Sequence, residues 1–131
     1  LNLIKKEGLD YTKTFRSLIF DNDKDFSLSN FELMGGIASK KWFNSWKNRL
    51  HKEKKDIQNI FKSMKKINPI YIPRNHVIEK VIDELIQGKG NKMLEKILKL
   101  TEKPYTPQKD SKYFELPPNP SEEVTHTFCG T

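Results

Sequence analysis

The densest cluster of metal-type ligands is DNDKDFSLSNFE, residues 21–32. Asp21, Asp23, Asp25, Ser29 and Glu32 fall at positions 1, 3, 5, 9 and 12 of a calcium-binding loop, with Leu28 at the apolar position 8. Position 6, where the loop must turn sharply and glycine is required, is Phe26. The bulky side chain favours the plainer reading, a polar interhelical loop whose acids cap the next helix. Asp25-Phe26 also has the outline of a kinase magnesium motif. Ser27 replaces its glycine, however, and neither a Gly-rich loop nor a catalytic-loop Asp–Asn pair accompanies it.

A second chemistry is suggested by KKWFNSWKNRLHKEKK, residues 40–55. Lysines could meet phosphates while Trp42 and Trp46 stack on bases. The two tryptophans also share one helical face, where aromatic side chains more often form core and leave the lysines in water. His51, His76 and His126 are far apart and in no ligand spacing, so with a single cysteine a zinc site is not expected. His76 opens a helix and reads as a surface or capping residue. Cys129 is either an incidental exposed thiol or, on a mobile tail, a redox residue able to reach a partner. No GxGxxG, P-loop, GxSxG or HExxH pattern occurs.

These residues sit in a chain of 131 residues with 35% hydrophobic and 31% charged residues and a formal net charge of +7. That suffices for one domain with a modest core, and suits a helical piece that packs against something else. Residues 40–66 carry ten Lys or Arg against two acids, whereas residues 101–131 carry three Lys against five acids. A basic block of this kind fits nucleic acid, an anionic membrane or an acidic protein surface. One cysteine excludes an internal disulfide framework. No apolar run approaches the roughly 20 residues needed to span a bilayer. The start, LNLIKKEGLDY, has neither initiator Met nor signal-peptide pattern and reads as the middle of a longer chain.

The elements expected to position these groups are helical. LDYTKTFRSLIF places Leu9, Phe15, Leu18 and Ile19 near helical spacing behind Asp10 as N-cap. Residues 30–67 read as mostly helical, with a break near Gly35-Gly36; Trp42, Trp46, Arg49 and Leu50 recur at i, i+4, i+7 and i+8, and Ile57, Ile60, Phe61 and Met64 repeat the pattern. Asn68-Pro69 ends that run, because a residue before proline is pushed out of the α region. Asn75 is the expected N-cap of a helix with a wide face of Val77, Ile78, Val81, Ile82, Leu85 and Ile86, stopped by Gly88. A last helix follows Asn91, with Leu94, Ile97 and Leu98 inward. From Lys103 the chain holds five of its seven prolines and reads as an extended tail, with EEVTHTF its one strand-like stretch.

The stretch NPIYIPRN resembles the NPxYxxRN signature that opens a helix in the C-terminal part of the selenoprotein O family, the YdiU proteins. DYTKTFR resembles that family's D-[YF]-T-x-x-F-R helix, and WFNSWKNRL its Trp-containing helix ending in Arg-Leu. KPY resembles NPY or NPF after the last helix, YFELPP resembles YAxxPP, and FCGT resembles the terminal Cys- or selenocysteine-Ser-Ser. The six blocks occur in the family's order.

The resemblance implies an all-α segment from the C-terminal part of a protein-kinase-like (pseudokinase) fold: residues 1–102 a helical portion of the C-lobe, residues 103–131 an extended Pro-rich tail, with about six helices in all. It implies a parent enzyme that transfers AMP from ATP, with Mg²⁺ or Mn²⁺, to Ser, Thr or Tyr hydroxyls of proteins. That enzyme's nucleotide and metal residues lie upstream, so the segment itself is expected to bind no cofactor and hold no catalytic or metal-binding residue. Cys129 matches the terminal Cys or selenocysteine, a candidate for redox control through a disulfide with the catalytic lobe. Asn68, Pro69, Tyr71, Arg74 and Asn75 match the signature. Tyr71 and Arg74 are expected as buried contacts to the kinase-like lobe, with Arg74 forking to a carboxylate or to helix-end carbonyls. The implied partners are the catalytic part of the same protein and its protein substrates, with no membrane. The implied compartment is the mitochondrion in a eukaryote and the cytoplasm in a bacterium. The rival class is a stand-alone basic helical module that binds nucleic acid or an acidic protein surface.

Overall fold

A computed structural model describes residues 1–20, 37–53 and 56–124. The candidate calcium loop, Gly35-Gly36, His126 and Cys129 lie outside these residues, as does most of EEVTHTF. Every regular element among the described residues is helical. The chain divides into two compact units, Leu1–Pro69 and Ile70–Thr131.

The first unit contains α1 (Asn2–Lys6), α2 (Tyr11–Ser17), α3 (Ile37–Lys52) and α4 (Ile57–Ile67). Asp10 caps α2 as its position predicts, accepting a hydrogen bond from Lys13 N at 2.7 Å. The long basic run is two helices. It divides between Lys52 and Ile57, where Asp56 accepts from the Gln58 and Asn59 amides and starts α4. That cap was legible in the sequence, as an Asp directly before an apolar repeat, but the surrounding lysines hid it. The core is Leu18, Phe20, Phe43, Leu50 and Phe61. Phe20 packs edge-on against Phe43 at 6.3 Å and tilted against Phe61 at 5.6 Å.

The second unit contains α5 (Asn75–Ile86), α6 (Lys92–Glu102), the single-turn α7 (Lys112–Glu115) and a 3-10 turn at Pro120–Glu122. Helices α5 and α6 pack on each other. Gly88, at φ +65°, takes the left-handed conformation just past the C-cap Gln87 of α5 and lets the chain reverse. The core is Tyr71, Val77, Val81, Ile97, Leu100 and Phe114. Phe114 lies in the stretch expected to be extended. Residues 103–124 instead fold back on α5 and α6 through α7 and the 3-10 turn, because Phe114 and Tyr113 supply apolar surface that a solvated tail would leave in water.

Three local expectations are corrected. The N-cap of α5 is Arg74, and Asn75 is the first helical residue. Leu98 does not face inward: it is 55% exposed, and the buried positions of α6 are Ile97 and Leu100. On α3 the fully buried aromatic is Phe43, at 0% exposure, whereas Trp42 is 39% exposed and Trp46 only flanks the core.

Candidate functional site

The signature NPIYIPRN straddles the boundary between the two units. Asn68 and Pro69 belong to the first. Asn68 closes α4: its backbone amide and its side-chain Nδ2 both donate to Met64 O, each at 2.9 Å. Arg16 Nη1 donates to Asn68 O at 3.1 Å and to Lys65 O at 3.3 Å, so a cation sits where the α4 carbonyls run out of intrahelical partners.

Tyr71, Arg74 and Asn75 belong to the second unit, where the chain is threaded through a polar knot. The amides of Ile70 and Tyr71 donate to Pro104 O at 2.7 and 3.3 Å. The Tyr71 ring is 1% exposed. Its hydroxyl accepts from Gln108 N at 2.8 Å and lies 2.9 Å from Ser111 Oγ. Ser111 Oγ is in turn 2.7 Å from Gln108 O and 2.8 Å from Glu115 Oε1. The single serine proton serves one of those acceptors at a time, which leaves the Tyr71 hydroxyl as donor to Ser111. Asp110, at φ +53°, makes the turn that brings Ser111 under the phenol, a conformation that Asp tolerates better than most residues.

Arg74 is 7% exposed and its Nη2 donates to Glu115 O at 3.1 Å. Glu115 is the last residue of α7, so this is a helix-end carbonyl. These contacts are supplied by residues 104–115 of the same unit. Three blocks that are separate in sequence, NPIYIPRN, KPY and YFELPP, are thereby tied together by Tyr71 and Arg74. Asn75 and Pro73 are exposed and line an open cleft of about 450 Å³ between residues 72–76 and Pro118, Glu123 and Val124.

Sequence reasoning missed the second cluster. His76 is buried, at 4% exposure, and is not a surface residue. Its ring meets Tyr113 edge-on at 5.7 Å, and its Nε2 has no hydrogen-bond partner among the described residues. Burial pushes the His76 pKa down; Glu122 opposes that, and the nearby Arg74 and Lys80 charges add to it. Lys80 pairs with Glu122 and lies 4.5 Å over the Tyr113 ring. The Tyr113 hydroxyl donates to Glu122 Oε1 at 3.3 Å, and Glu122 Oε2 accepts from Asn119 N at 3.0 Å in a capping box. The Lys80 hydrogen bond, seconded by the Asn119 amide, lowers the Glu122 pKa to about 2. Position 80 beside an apolar face and position 122 three residues after Asn119 were the available signals, and only folding pairs them.

The other sequence candidates divide. Trp42 and Trp46 stack on each other at 5.9 Å and 9°, with Trp46 packed against the core and Trp42 exposed. Among the described residues no three His, Cys, Asp or Glu gather so as to hold a metal ion. No helix among them is long and apolar enough to cross a membrane. The arrangement holds three chain segments together with hydrogen bonds that are buried or part-buried, some neutral and some charge-assisted.

The family model described as protein adenylyltransferase SelO matches residues 1–102. The chain belongs to the SelO family. Over 131 residues it is 35% identical to a protein nucleotidyltransferase YdiU of Clostridium botulinum (strain Okra / Type B1), covering 100% of this chain and 26% of that protein. A protein nucleotidyltransferase YdiU of Bacillus thuringiensis (strain Al Hakam) is 34% identical over 129 residues, 98% of this chain and 25% of its own. One of Bacillus cereus (strain B4264) is 33% identical over 131 residues, with 100% and 26% covered. The chain thus spans about a quarter of the length of the curated SelO-family relatives it matches. No solved structure matches it. The polar knot extends past the span of the SelO model: Tyr71 and Arg74 lie inside it, and Pro104, Ser111 and Glu115 lie beyond it but within the region aligned to the YdiU relatives.

Proposed function

We propose that the chain is the C-terminal segment of a SelO-type protein adenylyltransferase, an enzyme that moves AMP from ATP with Mg²⁺ or Mn²⁺ onto protein Ser, Thr or Tyr hydroxyls. In this reading the segment completes the C-lobe of a kinase-like fold and holds none of the nucleotide-binding residues. The observation that carries it is the knot around Tyr71 and Arg74. The residues that look most like the family's signature are spent on holding three backbone segments together, which is an architectural task. The share of relatives covered, 26%, supports a segment of a longer enzyme. The partner is then the catalytic part of the same protein, and the substrates are proteins. Cys129 is the redox residue of the tail, a thiol for disulfide formation with the catalytic lobe. The relatives' bacterial origin favours the cytoplasm as the compartment.

The test is AMP transfer from labelled ATP. The purified 131-residue chain should transfer none. The C. botulinum relative should lose transfer when its matched quarter is deleted, and recover part of it when this chain takes that place. AMP transfer by the 131 residues alone would overturn the assignment.

A further inference from the structure

Helix α5 carries more apolar surface than its unit covers. Val77 and Val81 are buried against α6 and Phe114, at 0% and 5% exposure. At about 100° per residue the apolar arc continues round the helix through Ile82, Leu85 and Ile86. These three are 41%, 48% and 79% exposed. Glu79 and Asp83, both exposed, border the arc next to Ile82 and Ile86. An acidic edge is unusual in a chain of net charge +7. A run of this kind on one helix marks a contact surface rather than scattered surface apolar residues. The relatives are about four times as long as this chain, so the family has chain enough to cover it.

We infer that the outer arc of α5 is where this segment docks onto the remainder of its SelO-family chain, and that the docking element is an apolar stripe with a basic rim facing Glu79 and Asp83. The inference rests on the segment reading above and adds to it which face is used and what chemistry meets it. A second copy of the chain is the competing occupant.

The experiment uses the protein as the native gene makes it, with Cys129→Ser as background and Ile86→Cys as the reporter. Ile86 is so exposed that the substitution leaves the core intact. The intact mass is read first, then the rate of maleimide labelling, against the purified 131-residue chain carrying the same substitutions. The expected result is a protein several times larger than 15.4 kDa, in which Cys at position 86 labels about tenfold or more slower than in the short chain, as for a side chain released only by local opening. Glu79→Lys with Asp83→Lys should bring the labelling back toward the short-chain rate. A large protein that labels as fast as the short chain overturns the docking inference and leaves the segment reading standing. A gene product of 15.4 kDa overturns both. Protection that appears in the short chain and rises with its concentration assigns the face to a second copy and overturns the inference as well.

Discussion

The two units solve the same problem with different materials. The first is held by aromatic contact: Phe20, Phe43 and Phe61 pack ring on ring, and its signature residue Asn68 only finishes a helix. The second is smaller in aromatic content at its centre and is held by a tyrosine and an arginine, the Tyr71 hydroxyl between Gln108 N and Ser111 Oγ and Arg74 Nη2 on the Glu115 carbonyl. Each unit places an arginine at the end of a helix, Arg16 at α4 and Arg74 at α7. Arg16 is half-buried, whereas Arg74 is almost fully enclosed. Burial raises the stakes of a polar contact, because a group left without its partner there cannot turn to water. The comparison teaches that the first unit should fail by losing volume and the second by losing single hydrogen bonds.

The largest expected effect breaks the first unit. Phe43→Ala should cost about 3–5 kcal/mol by opening a cavity among the aromatic rings. Both tryptophans lie in this unit. Its denaturation midpoint is therefore read directly by tryptophan fluorescence, and amide exchange in α5 and α6 reports whether the second unit stays behind. An unchanged fluorescence midpoint would remove Phe43 from the centre of the core.

Next in size is Arg74→Met, which should destabilise the second unit by about 2 kcal/mol, the scale of a hydrogen bond to a charged group. Arg16→Met should cost about half that, since water can reach its carbonyl partners. Arg74→Lys should recover little, because an ammonium lacks the planar fork. Amide exchange in α5 and α7 measures the effect; equal losses for Arg16 and Arg74 would erase the proposed difference between the units.

Tyr71→Phe is smaller still, about 1 kcal/mol, because the Gln108 amide loses its acceptor and Ser111 its donor while the ring keeps its packing. Tyr71→Leu should cost more, separating the packing part of the residue from its hydroxyl. Exchange at the Gln108 amide is the most direct readout, and it should speed up in both variants.

The last effect is on pH and belongs to the second unit alone. The folded-state pKa of His76 lies below its ordinary 6.5, so the unfolded chain binds more protons just below that pH. Stability of this unit should fall as pH drops below about 6.5. His76→Leu should remove that slope and leave a second one. Glu122, at about 2 when folded against an ordinary 4.5, stabilises above 4.5 and loses its contribution as pH falls from there toward 2. Lys80→Met should flatten this lower slope. Unfolding midpoints between pH 3 and 8 in the three proteins decide it, and an acid slope that survives His76→Leu unchanged would exonerate the histidine.

Much of the local structure was written in the residues themselves. Asp10 before an apolar repeat, proline after Asn68 and Gly88 after α5 all act over one or two turns, where backbone sterics and nearby hydrogen bonds suffice; Asn91 holds the N-cap position of α6 without a side-chain capping bond. The all-helical character of the described residues followed from periodicity, and the family from ordered blocks. Periodicity could not say which part of a wide apolar arc is covered. On α5 it put six positions on one face, and packing buried Val77 and Val81 while leaving Leu85 and Ile86 out. It could not see that a proline-rich stretch returns to the core through Phe114, that His76 is enclosed, or that Lys80 finds Glu122 across 42 residues. Those are long-range choices, settled only when segments distant in sequence compete for the same apolar surface and the same backbone donors and acceptors.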